Sequence, residues 1–185
     1  YKLGTSVITY QKEFDTSLQI ASSQKAVKKL KSSKPSVASV TSKREDGEYK
    51  IIIKVKKPGT TVITYTSGKD TFEEKIVVKK YQNVIKKITI NGKNITAKFN
   101  KQGICTLSYK QYKNKNIKVQ VIGKKNWSTP HGDYWMRRSG KILKCMPSPK
   151  NKTYKFKLTK KNAALAFSVD ELNASNYVSY EIRFK

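Results

Sequence analysis

The chain of 185 residues carries 40 Lys and Arg against 12 Asp and Glu, a net charge of +28, with 37% apolar and 10% aromatic residues. Aromatic and β-branched residues spread along its whole length exclude a disordered tail in spite of the charge, and no apolar run approaches the roughly 20 residues of a membrane-spanning helix. The length suits two small domains, each able to bury a core of its own.

Val7 to Tyr10 and Leu18 to Ile20 read as two short strands joined by the polar stretch Gln11 to Ser17. Ser22 to Ser33 is basic and Ser-rich; Val27 and Leu30 stand three apart as in a helical turn, but the composition predicts a loop feeding the next strand. Pro35 to Val40 is a strand, and Arg44-Glu45-Asp46-Gly47 is polar turn chemistry in which Gly47 is free to take positive φ. Next, Tyr49, Ile51, Ile53 and Val55 share one face while Lys50, Lys54 and Lys56 share the other with Ile52, the period-two pattern of a half-buried strand. Pro58-Gly59 interrupts the ladder, Thr61 to Thr66 resumes it, and Ser67 to Asp70 turns into a last strand at Thr71 to Val78. Six or seven short strands this closely spaced are what a small β-sandwich needs.

The run Pro35-Ser36-Val37-Ala38-Ser39-Val40, the turn at Gly47, and Lys57-Pro58-Gly59-Thr60-Thr61-Val62-Ile63-Thr64 resemble the recurring pattern of the bacterial immunoglobulin-like domain, group 2. The resemblance covers residues 1 to about 80 and implies an immunoglobulin-like sandwich serving as a rigid stalk or adhesion module on a surface protein. It departs from the pattern in a longer, more charged hairpin after Val40 and in lacking a Trp before the Pro-Ser segment. It implies nothing about residues 81 to 185.

Lys79 to Asn83 forms the expected boundary, giving domains 1-80 and 81-185. Ile85 to Ile90 is a strand, Asn91-Gly92 a two-residue hairpin signal, and Asn94 to Phe99 the expected partner strand. Strands follow at Ile104 to Tyr109, Ile117 to Val121, Tyr154 to Leu158, Ala163 to Val169 and Tyr177 to Phe184, with Tyr154, Phe156 and Leu158 inward and Lys155 and Lys157 outward. Val169 to Asn173 is the best helix candidate, a single turn. The fold class is all-β, two tandem immunoglobulin-like β-sandwich domains; for the second, this rests on strand count.

Residues before 81 carry a net +9 and those after it +19, and only Arg44, Arg137, Arg138 and Arg183 are arginine. Lysine acts as a hydrated point charge suited to diffuse attraction, whereas specific nucleic-acid readers lean on the arginine fork. The charge therefore points to anionic polymers such as teichoic acid or sulfated glycan, with nucleic acid bound only non-specifically. Set against this, outward lysines on strands also discourage edge-to-edge aggregation.

Cys105 is in phase with Leu107, and Cys145 with Leu143, so a disulfide pinning two sheets and a pair of ordinary buried thiols are both open. The segment Asn126 to Arg138 breaks the alternation and holds both Trp, the single His and two of the arginines, which predicts an irregular loop of the kind that carries binding residues. Trp127, Tyr134 and Trp135 are candidates for stacking on sugar rings, with His131, Asp133, Arg137 and Arg138 for polar contacts; burial of Trp127 or Trp135 in the core is the competing reading. Cys145, His131 and an arginine match the inventory of a cysteine transpeptidase, but the sequence runs such a centre needs are missing. Two Cys and one His do not complete a zinc site, and neither a phosphate-binding Gly-rich loop nor a nucleophile elbow is present. The expectation is a non-catalytic extracellular module of a Gram-positive cell surface, without metal or cofactor and monomeric. It binds cell-wall or host glycan in an adhesive role; a Lys-rich polyanion binder and a pure spacer are the alternatives. An opening at Tyr1 without Met is expected of a mature or trimmed form.

Overall fold

The computed structural model describes residues 1–128, 134–146 and 153–185; of Tyr134, Trp135, Met136, Cys145 and Met146 it describes the backbone alone. The chain divides into two units, Tyr1–Tyr81 and Gln82–Lys185.

In the first unit the strands are β1 (Lys2–Tyr10), β2 (Ser17–Ser23), β3 (Val27–Ser32), β4 (Ala38–Glu45), β5 (Glu48–Val55), β6 (Gly59–Ser67) and β7 (Asp70–Lys80). They form one sheet in the order β1-β7-β6-β3 and a second in the order β2-β5-β4. The first strand lies parallel to the last while the remaining pairs are antiparallel. This division of seven strands between two packed sheets is immunoglobulin-like. Alternation decides which faces meet. Ile51, Ile53 and Val55 of β5 and Ile63 and Tyr65 of β6 are buried, and Ile76 and Val78 of β7 close the core over Val37.

The β4–β5 turn is Asp46-Gly47, both at positive φ (52° and 83°), the pair of left-handed residues that a tight two-residue hairpin requires. Two features of the Lys57-to-Thr64 stretch explain its residue choices. Gly59 has φ 147°, and a Cβ there would stand 2.9 Å from Val37 Cγ2. Thr61 is buried, and its Oγ1 accepts from the Lys34 amide at 2.9 Å and meets the Ser32 and Ser33 hydroxyls. That hydroxyl satisfies backbone at a bend the sheets leave unpaired.

The expected loop over Ser22 to Ser33 is instead strand β3. Between Lys28 and Lys31 it carries one residue more than β6, with Lys29 at φ 50°. This bulge places both Val27 and Leu30 toward the interior, so the spacing of three came from a kinked strand and not from a helix.

The second unit contains β8 (Ile85–Ile90), β9 (Lys93–Asn94), β10 (Ile104–Leu107), a one-turn helix α1 (Tyr109–Tyr112), β11 (Asn116–Gly123), β12 (Tyr134–Arg138), β13 (Lys141–Met146), β14 (Thr153–Lys157), β15 (Ala163–Asp170) and β16 (Tyr177–Phe184). The sheets are β14-β11-β8-β9 and β10-β16-β15-β12-β13, with β10 parallel to β16, so the second unit is also an immunoglobulin-like sandwich. Ile88, Val119, Leu165, Tyr180 and Phe184 fill its interior. Buried Tyr180 accepts from the Val84 amide at 2.9 Å and donates to Asn83 Oδ1 at 3.1 Å.

Three local expectations are corrected here. In place of the strand expected over Asn94 to Phe99, the short β9 pairs with β8 at Lys93 and Asn94 and a 3-10 turn follows over Thr96–Lys98. Asn94 Oδ1 accepts from both the amide and the hydroxyl of Thr96, a local alternative to the ladder. The strand from Ile104 stops at Leu107 and gives way to α1. Val169 to Asn173 is not helical: β15 runs to Asp170, and Glu171 closes a turn with Asn176 through Glu171 N to Asn176 O (2.8 Å) and Asn176 Nδ2 to Glu171 Oε2 (2.9 Å).

Candidate functional site

The charge of the second unit is organised by strand register. In β11 Ile117, Val119 and Val121 are buried, which turns Lys118 outward; in β14 Tyr154 and Phe156 are buried, which turns Lys155 and Lys157 outward. Antiparallel pairing then sets Lys118 directly opposite Lys155, and Asn116 opposite Lys157. On the other side of β11, Ile122 faces Lys87 and Gln120 faces Thr89. No Asp or Glu occurs on β8, β9, β11 or β14. Like charges directly opposite disfavour pairing. What holds these strands together is the face beneath, where each fully buried Ile or Val contributes about 1.5–3 kcal/mol. Arg183 is neutralised by Glu181 at 2.8 Å, whereas Lys118, Lys155 and Lys157 meet no acid among the described residues.

A second cationic element adjoins this face. The β12–β13 hairpin turns at Ser139 (φ 49°) and Gly140 (φ 75°), and every residue from Arg137 to Lys144 is exposed. Leu143 is an extra residue on β13, because Lys144 pairs with Met136 and Ile142 with Arg137. This bulge leaves Ile142 and Leu143 both exposed, at 56% and 43%. β13 and β14 are outer strands of different sheets. Where they part, Leu143, Lys144, Phe156, Lys157, Thr159, Lys160 and Ala163 line a cavity of about 360 Å³. Its floor is apolar and its rim carries three ammonium groups. Lys157 belongs to both the cavity and the lysine face, so the two are continuous.

The residues singled out from the sequence do not assemble into one loop. Tyr134–Arg138 is strand β12, held between β13 and β15, because the Tyr-Trp-Met-Arg-Arg run pairs along both edges. Arg137 and Arg138 lie at the exposed end of the hairpin; His131 and Asp133, and the side chains of Tyr134 and Trp135, lie outside the described residues. Trp127 is half-buried and bridges to Glu171, while the Ser128 amide donates to Asp170 O at 2.9 Å. The chain crosses itself closely there: a Cβ on Gly123 would stand 2.5 Å from Ser128 O. Lys118, Lys144 and Lys160 were not singled out from the sequence. Their signal was present only as outward lysine in alternating strands, and strand pairing was needed to bring them together.

The disulfide reading is overturned. Cys105 is a free, buried thiol on β10, and Cys145 is on β13, at the opposite edge of the same five-stranded sheet. Four strand spacings separate them, roughly 19 Å at about 4.8 Å each, far beyond the roughly 7 Å limit for a bridge. Burial pushes the Cys105 thiol up to about 11, so it is not a nucleophile at neutral pH. Among the described residues no group of three His, Cys, Asp or Glu is placed to hold a metal.

No protein-family model matches the chain, and no curated protein matches it either. Among solved structures, domains 5-6 of the S-layer protein SbsC are 16% identical, with 98% of this chain and 94% of that one covered and a TM-score of 0.33. A chimeric titin Z1Z2 functionalised with a KLER exogenous peptide from decorin is 13% identical over 98% of this chain and 91% of that one, with a TM-score of 0.31. Murine CEACAM1b is 9% identical over 78% and 67%, with a TM-score of 0.27. Likeness at this level decides nothing about what this chain binds.

Proposed function

We propose that the chain is a non-catalytic surface or structural module in which the first sandwich acts as a spacer and the second holds an anionic polymer, a teichoic-acid-like polyphosphate or a sulfated glycan. The observation that carries this reading is the acid-free lysine face running from Lys118 and Lys155 through Lys157 into the cavity rimmed by Lys144 and Lys160. Lysines on the edge strand β14 also protect a spacer against edge-to-edge pairing, but that protection does not call for Lys118 on the inner strand β11 opposite Lys155. A polyanion recovers that repulsion as binding free energy by replacing counterions along the face. The reading places the protein outside the cell, acting as a monomer on cell-wall or host glycan, with an adhesive role. The group 2 immunoglobulin-like resemblance of Pro35 to Thr64 is consistent with the spacer assignment.

The test is binding of the full chain to poly(glycerol phosphate), to heparin and to a neutral glycan, titrated between about 50 and 200 mM salt. The expected result is binding to both anionic polymers, none to the neutral one, and a log–log salt slope of about −0.7 to −0.9 per engaged cation. Combined Lys155→Gln and Lys157→Gln substitution should lower the slope by about 1–2. Salt-insensitive binding to the neutral glycan that Trp127→Ala abolishes would replace this reading by a carbohydrate platform. Absence of binding to all three would leave a spacer.

A further inference from the structure

The first unit contains a feature that the spacer role does not use. Glu74 lies on the inward row of β7 with Phe72, Ile76 and Val78, opposite Ile63 of β6, and is 94% buried at a position where the pattern calls for an apolar side chain. Its hydrogen-bond donor is the Ser6 hydroxyl, and no ion pair to Glu74 is found among the described residues. A buried carboxylate without a counter-charge is costly unless a partner completes it.

Glu74 opens onto a groove of about 360 Å³, within the roughly 300–1,000 Å³ of small-molecule sites. Two β-bulges frame the groove. Leu3 is an extra residue on β1, since Lys2 pairs with Glu73 and Gly4 with Glu74, and Ile20 is an extra residue on β2, since Gln19 pairs with Ile52 and Ala21 with Ile51. Each strand is the edge of its own sheet, and both bulged residues line the groove. The wall opposite is formed by Tyr65 and Phe72, stacked at 5.1 Å between centroids. Near it the Ser23 and Ser67 hydroxyls meet at 2.6 Å; Ser23 Oγ also donates to Lys25 O and accepts from the Lys25 amide, so Ser67 Oγ is the hydroxyl with lone pairs to offer a donor. Burial first, and then the nearby Glu74 carboxylate, push the Tyr65 phenol up.

We infer that this groove binds a primary alkylammonium, with the aliphatic stem against Leu3, Ile20 and Phe72 and the ammonium on Glu74. Two parts of the site favour a cation over a neutral polyol. The carboxylate supplies the missing half of an ion pair, and Ser67 Oγ accepts a further ammonium proton; Phe72, stacked on both Tyr65 and Tyr1, serves the aliphatic stem by contact. The inference is independent of the polymer-binding reading, because it uses no residue of the second unit.

The experiment is a titration of the full chain, labelled with nitrogen-15, with butylammonium chloride, with the blocked lysine N-acetyl-lysine methylamide, and with methyl glucoside as the neutral control. Saturable amide shifts confined to Ser22, Ser23, Ser67 and Glu74 are expected with butylammonium. They should weaken at least about tenfold in Glu74→Gln, as loss of a charged hydrogen bond implies. Ala21→Leu fills the groove and leaves Glu74 intact; it should lose binding as well, and it covers the case that Glu74→Gln fails to fold. The same shifts with the blocked lysine would extend the site to lysyl side chains of a partner, and shifts with butylammonium alone would restrict it to free amines. Undiminished binding by folded Glu74→Gln, undiminished binding by Ala21→Leu, shifts centred on exposed Glu45 and Asp46, or saturation by methyl glucoside with none by the amines would each overturn the inference.

Discussion

Replacing Lys118 by Glu separates folding from binding, because the structure gives the two effects opposite signs. Lys118 faces Lys155 directly across the β11–β14 pair, and its backbone amide is held separately by Asn91 Oδ1 at 2.7 Å, so the substitution changes the side-chain pairing alone. A cross-strand pair of opposite charges contributes about 0.2–1 kcal/mol, and like charges cost a similar amount. Reversing one into the other at low salt should stabilise the second unit by about 1 kcal/mol, or about 4 °C in Tm. Lys118→Gln, which removes repulsion without adding attraction, should fall between. Polyanion binding should move the other way, with the salt slope falling by about 1–2 as one cation is lost and an anion is set among the rest. Calorimetric melting at low and high salt, with heparin titrations on the same samples, reads both quantities. A Lys118→Glu protein that melts lower at low salt would refute the register argument, and one that keeps full heparin affinity and slope would refute the role of the face.

Other consequences can be checked on the same protein. Gly59→Ala forces a Cβ to 2.9 Å from Val37 Cγ2 at φ 147° and should cost about 1–3 kcal/mol by urea unfolding, whereas Gly47→Ala, whose Cβ meets nothing within 4 Å, should cost less. Tyr180→Phe strands the buried Val84 amide and should destabilise the second unit by about 1–3 kcal/mol, with its melting transition shifted and that of the first unit unmoved. Folding holds the Cys105 proton that the unfolded chain releases, since burial raises the thiol from 9.0 to about 11. Its stabilisation is therefore whole below pH 9 and falls as pH rises toward 11. Cys105→Ala should flatten that alkaline decline; an unchanged slope would assign the decline to the buried tyrosines Tyr65 and Tyr112.

Much of the fold was legible wherever one face of a strand is buried. Tyr49 to Val55, Thr61 to Thr66 and Tyr154 to Leu158 alternate because the core accepts every second side chain, and the Asp46-Gly47 and Asn91-Gly92 turns announce themselves by residues that tolerate positive φ. The segment Tyr134–Arg138 was not legible. It is a strand with neighbours on both sides, and its polar, aromatic composition lacks the apolar alternation by which strands are recognised. Nor was the candidate site. Lys118 and Lys155 stand far apart in the sequence, and only register, a property of the paired strands, makes them neighbours. The proposed disulfide failed for the same reason: phase within a strand was readable, but the order of strands in the sheet was not.

One of the departures has its physical origin in a β-bulge. An extra residue breaks the period of two, so a bulged strand is misread by any argument from alternation. The extra residue in β3 imitated a helical spacing between Val27 and Leu30. Irregularities of the same kind mark where the sandwiches open. Leu143 lines the cavity of the second unit, and Leu3 and Ile20 line the groove of the first, each on a strand at the edge of its sheet. An edge strand has one partner, so a bulge there breaks fewer hydrogen bonds than one in the centre, and it redirects a side chain into the gap between sheets. In this chain three edge bulges thus line cavities, whereas the lysine face rests on regular alternation and register.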